Sequence, residues 1–148
     1  MSRTGRLRHL CESGALRVEA LADIISISGS DLGEDDMADA DWLFPLKDVE
    51  AKLPPGPGSL RFRYALRRGT MKLGLYAPAG SDDQTPHGQD ELYFVISGTG
   101  FFLKNGERRA FAPQDAIFVE AGAEHRFVDF SPDFAAWVVF WGPEGGEG

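Results

Sequence analysis

The spacing of apolar and polar positions changes along this chain, and each change predicts a different element. Val18, Leu21, Ile24 and Ile25 recur at helical spacing, so a short amphipathic helix is predicted near the start. The acidic, glycine-containing run from Ser28 to Asp36 reads as a linker. Between Asp41 and Leu53 the apolar residues Leu46, Val49 and Leu53 are again three and four apart, which predicts one short helix. Pro54-Pro55-Gly56-Pro57-Gly58 then stops it. Beyond that point the period becomes two. Leu60, Phe62, Tyr64 and Leu66 alternate with Arg61, Arg63 and Arg67, and Met71, Leu73 and Leu75 alternate with Lys72, Gly74 and Tyr76, predicting two strands.

Six further strands are predicted at Glu91 to Ser97, Gly100 to Lys104, Glu107 to Phe111, Ala116 to Glu120, His125 to Phe130 and Ala135 to Trp141. Short turn segments separate them, and Asn105-Gly106 is a strong two-residue hairpin signal. About eight short strands without an internal repeat describe an all-β sandwich or barrel. Residues 1–36 are expected to be a disordered appendage or linker, 37–58 a helix and lead-in, and 59–148 the β-barrel domain.

Composition narrows the partners. Fifteen Lys and Arg against 23 Asp and Glu leave a net charge of -8, which repels phosphate backbones and anionic lipid, so no nucleic acid and no membrane is expected. No apolar run approaches the roughly 18 residues of a membrane span. The single cysteine, Cys11, excludes an internal disulfide framework and suggests a cytoplasmic protein. It has no nearby base in sequence and is expected to be inert. Both faces are apolar in Leu92 to Ile96 and in Ala135 to Trp141, so these strands need a cover on their outer side, either a second subunit or the N-terminal segment, and a homodimer is the commonest solution.

Only three histidines exist, and His9 lies in the appendage, which leaves His87 and His125 for a site inside the barrel. Thr85, His87, Gln89 and Glu91 are spaced by two, so an extended chain would project them from one face, with Tyr93 continuing it. A carboxylate at the head of an apolar inward row needs a partner. Two neutral imidazoles and one carboxylate suit a divalent metal, with Fe, Mn, Ni, Co and Zn all acceptable. Gln89 is a candidate oxygen ligand, Thr85 a candidate support for a metal-bound water, and Tyr93 a candidate substrate-pocket residue. Asp90 and Asp129 read as solvated strand-end acids. Arg61, Arg63 and Arg67 would suit an anionic substrate, but an alternating Arg row on a first strand is more often its solvent face.

These residues resemble the cupins, small jelly-roll barrels (double-stranded β-helices) carrying two motifs, over roughly the last two-thirds of the chain. Glu91 and Gly98 match the end of the first motif with its six-residue gap, and His87 matches its second histidine, with Thr85 where the first belongs. In the second motif Gly122 and His125 match, while Gln114, Glu120 and Asp129 replace glycine, proline and asparagine. The resemblance implies that His87, Glu91 and His125 are metal ligands. It also implies dioxygenase, isomerase or lyase chemistry on a small molecule, or alternatively a non-catalytic barrel that binds or senses a small ligand, or a purely structural dimer.

Overall fold

The computed structural model describes residues 41–56 and 61–148. The expectations for residues 1–36, including His9 and Cys11, lie outside the described residues. One helix, α1 (Leu46–Glu50), precedes eight strands: β1 (Phe62–Arg68), β2 (Met71–Tyr76), β3 (Asp90–Ser97), β4 (Gly100–Lys104), β5 (Glu107–Phe111), β6 (Ala116–Val119), β7 (His125–Val128) and β8 (Ala135–Trp141). The helix is shorter than the apolar spacing predicts. Pro45 stands immediately before it and disfavours helical geometry at Phe44, so helix begins only at Leu46.

The strands form two antiparallel sheets, β1-β2-β8-β3-β6 and β5-β4-β7. Their order departs from chain order, with β8 inserted between β2 and β3, as a jelly roll requires. Asn105 and Gly106 both have positive φ, 47° and 84°, and close the β4–β5 hairpin as the Asn-Gly pair predicts. Phe102, Phe111, Phe127, Phe134, Tyr93 and Val95 fill the space between the sheets. Phe127 stacks within 5.3 Å of Phe102, Phe111, Tyr93 and Phe134, so one β7 side chain ties both sheets to the core.

Directly opposed residues of antiparallel strands share a face, so the register assigns each position. One inward row runs Tyr64, Gly74, Val138, Tyr93, Ile117 across the larger sheet, and the next runs Arg67, Lys72, Phe140, Glu91, Val119. Two positions therefore differ from simple alternation. On β2 it is Gly74 and Tyr76 that face inward, while Leu73 and Leu75 lie on the outer side with Val139 and Trp137. On β1 a bulge between Tyr64 and Leu66 resets the parity, so Leu66 joins Leu73 outside and Arg67 turns to the inner row. Arg63 pairs with outward Leu75 and Arg67 joins the inner row, yet Arg67 stays exposed at the end of the strand.

Candidate metal centre

Glu91 is the second residue of β3, a central strand of the larger sheet, and is almost fully buried at 1% exposure. His125 opens β7 in the opposite sheet, and His87 lies in the loop that crosses from β2 to β3. The two histidine segments are bonded to each other, because the Gly122 N–H donates to the His87 carbonyl at 2.8 Å. His87 Nδ1 meets the Gln89 carbonyl at 2.6 Å, and His125 Nδ1 meets the Ala123 carbonyl at 2.8 Å. A carbonyl only accepts, so each Nδ1 carries the proton and each Nε2 is left to face inward.

Both Nε2 atoms converge on the same carboxylate oxygen. Glu91 Oε2 is 2.6 Å from His87 Nε2 and 3.2 Å from His125 Nε2, and one ligand atom from each residue lies within 4.8 Å of the others. A neutral imidazole bonded through Nδ1–H would aim a lone pair at a carboxylate, which is repulsive. The arrangement therefore requires a proton or a metal cation between them. One shared proton would pair Glu91 with a single imidazole and leave the other lone pair facing the same oxygen. A divalent cation satisfies all three groups at once, in the His-His-carboxylate set suited to first-row metals.

Electrostatics reflect the same competition. Burial pushes the Glu91 carboxyl up, but bonds from His125 and His87 outweigh it and hold the group below its usual value. Burial alone would lower His87, yet the hydrogen bond and charge of Glu91 raise it. Tyr93 is pushed well above its ordinary value, first by burial and then by the Glu91 charge, so it stays protonated. Its hydroxyl donates to Gln84 Oε1 at 2.9 Å and lies 3.5 Å from His125 Nε2.

A cavity opens beside the cluster, lined by Phe62, Tyr64, Thr85, Tyr93, Val138 and Phe140 among others. It offers about 40 Å³ to the centres of water-sized groups, enough for an ion with a few waters or the head of a small ligand. Gly74 lets the Phe62 ring of its wall pack close against β2, since a Cβ there would stand 2.5 Å from that ring. Thr85 Oγ1 is buried without any hydrogen-bond partner, which is what a side chain awaiting a bound water or ligand shows.

Of the residues singled out in sequence, His87, Glu91 and His125 come together, while Thr85 and Tyr93 line the adjoining cavity. Gln89 does not join the cluster. Its Nε2 donates to the Thr70 and Gly142 carbonyls and its Oε1 accepts from Lys72 Nζ at 2.7 Å, so its amide is occupied on both sides. The segment before β3 is irregular rather than extended, and two-residue alternation fails there. Asp90 is not a solvated acid: it accepts from the Ala121 and Glu147 backbone N–H groups. Asp129 is exposed and pairs with Arg108.

The sequence does not reveal a second buried network. Asp82 accepts from the Tyr76 hydroxyl at 2.6 Å, from the backbone and side chain of Gln84, and from the Phe127 N–H at 2.7 Å. It caps a free N–H of edge strand β7 and fixes Gln84 against Tyr93. Ser81-Asp82-Asp83 reads as a solvated loop, and only Tyr76, at the inward end of its strand, hints at a buried acceptor nearby.

The family model for the cupin domain matches residues 73–141, which contain all three clustered residues. The chain belongs to the cupin superfamily. An uncharacterised protein of Streptomyces coelicolor is 40% identical over 104 residues, covering 68% of this chain and 96% of that protein. Acireductone dioxygenase of Pseudomonas aeruginosa is 37% identical over 68 residues, covering 43% of this chain and only 38% of the enzyme. Among solved structures, a double-stranded β-helix protein of Klebsiella pneumoniae superposes with a TM-score of 0.59 at 16% identity, over 72% of this chain and 92% of that one. A cupin barrel protein of Salinispora arenicola gives 0.55 at 21%, over 70% and 91%. These two structures support the fold.

Proposed function

We propose that this cupin is a metal-dependent enzyme acting on a small oxygen-bearing molecule, with His87, Glu91 and His125 holding one divalent ion of Fe, Mn, Ni, Co or Zn. The observation that carries this reading is the meeting of two Nε2 atoms on one buried Glu91 oxygen while both Nδ1 atoms are committed to carbonyls. Among dioxygenase, isomerase and lyase chemistries, the dioxygenase reading comes first, supported by the stretch shared with acireductone dioxygenase.

When bound, the ion supplies Lewis acidity to substrate oxygens and a site for dioxygen. The chain's own residues set the environment. Phe62, Val138 and Phe140 line the cavity with apolar surface and restrict water. Tyr93 stays protonated and can turn its hydroxyl from Gln84 to a substrate oxygen. Thr85 Oγ1 supplies an uncommitted polar contact at the same cavity wall. The Nδ1 bonds hold both imidazoles in one tautomer and one orientation.

The test is oxygen uptake by Fe(II)-loaded protein given a panel of small enediols and 2-oxo acids, with anaerobic product analysis alongside. Oxygen consumption above the metal-free control, lost in His125→Ala, is expected. Loaded protein that turns over no panel member, with or without oxygen, would instead favour the non-catalytic binding barrel.

A further inference from the structure

Two cations face the interior side of the barrel, and neither is given a carboxylate partner among the described residues. The β1 bulge places Arg67 in the inner row at the exposed end of the strand, where its guanidinium lies 4.1 Å from the centre of the Tyr64 ring. Opposite it on β2, Lys72 is half-buried and donates to the Gln89 amide oxygen, a neutral acceptor. Inward positions of such a sheet are ordinarily apolar, and on these strands the others are Phe62, Tyr64, Gly74 and Tyr76. In a chain with 23 acids against 15 bases, two adjacent cations on this row, one exposed and one half-buried, without an acid beside them are conspicuous.

Their position relative to the metal cluster gives them a use. Arg67, Lys72, Phe140 and Glu91 occupy one transverse row. At about 4.8 Å per strand, Lys72 stands roughly 10 Å and Arg67 roughly 14 Å from Glu91 along the backbone. Tyr64, which carries the guanidinium, also lines the cavity, and its hydroxyl feels both the Arg67 and the Glu91 charge. His87 and Glu91 thus line the cavity, and Arg67 stands over the ring of Tyr64, another residue of its wall. We infer that Arg67 and Lys72 hold an oxyanion group, a carboxylate or a phosphate, at one end of a small molecule whose other end reaches the His87–Glu91–His125 cluster. This rests on the reading of that cluster as the reacting centre. An arginine fork beside a lysine suits either anion, by charge-assisted hydrogen bonds that are stronger than neutral ones.

The test is calorimetric titration of full-length protein, with and without bound Mn(II), using short carboxylates and phosphate monoesters, each beside its neutral amide or alcohol analogue. Anionic probes are expected to bind and neutral analogues not. Arg67→Gln and Lys72→Gln should each weaken the anion at least about tenfold while leaving Mn(II) content unchanged, and Arg67→Lys should recover part of the loss. The carboxylate and phosphate arms identify which anion is preferred. Equal binding of charged and neutral probes, no binding by any probe, or unaltered affinity in both variants would overturn the inference. If the wild type takes up no Mn(II), the metal reading falls, and the metal-free titration decides the anion site on the same criteria.

Discussion

Thr85 illustrates how much one atom settles at the residue scale. Its hydroxyl is buried with no partner, a cost of about 1–3 kcal/mol unless something binds there. Thr85→Val keeps the shape and removes the orphan. Thermal melts of metal-free protein are expected to show the variant as stable as wild type or slightly more so, while metal or ligand occupancy falls. A variant that loses stability without metal and keeps full occupancy would contradict this. The triad residues were legible in sequence because three chemically apt residues are rare in a chain with three histidines. Gln89 was not, because nothing in its spacing reveals that Thr70, Gly142 and Lys72 consume its amide.

Among elements, the strands could be read in outline from alternation, but their faces could not be read without pairing. A bulge at Tyr64/Leu66 changes no apolar count, yet it moves Arg67 from the outer to the inner side. The C-terminal segment after β8 carries no periodicity at all, and it nevertheless closes over the histidine loop. The Gly145 N–H donates to the Gly88 carbonyl, and Asp90 accepts from the Glu147 N–H. These contacts give a pH dependence with a definite sign. The backbone N–H groups of Glu147 and then Ala121 hold the Asp90 carboxyl below its ordinary 3.8. The folded protein therefore binds this proton less readily than the unfolded chain, so the contribution is complete above that value and is lost as pH falls through the lowered one. In Asp90→Asn the stability deficit against wild type is expected to shrink as denaturant melts move from pH 6 to pH 3. A deficit that stays constant over that range would count against it.

For the molecule as a whole, the larger sheet leaves its outer side apolar across several strands. Leu92 and Phe94 of β3, Phe118 of β6 and Trp137, Val139 and Trp141 of β8 share that face, with Phe94 and Phe118 more than two-fifths exposed. Patches of this kind mark contacts between chains. A homodimer through this side remains the expectation that the both-faced apolar strands suggested. Light scattering should give twice the chain mass of 16.2 kDa, and Phe94→Glu should give a folded monomer. A monomeric wild type, or a dimer indifferent to that charge, would move the interface elsewhere. No helix among the described residues is long and apolar enough to cross a membrane.

The central claim is the metal. Elemental analysis of protein purified without chelators or a histidine tag, wild type beside His87→Ala and His125→Ala, tests it most directly. The account predicts close to one equivalent of Fe, Mn, Ni, Co or Zn per chain, absent in both folded variants. A wild-type protein that arrives empty and refuses each added metal would contradict it.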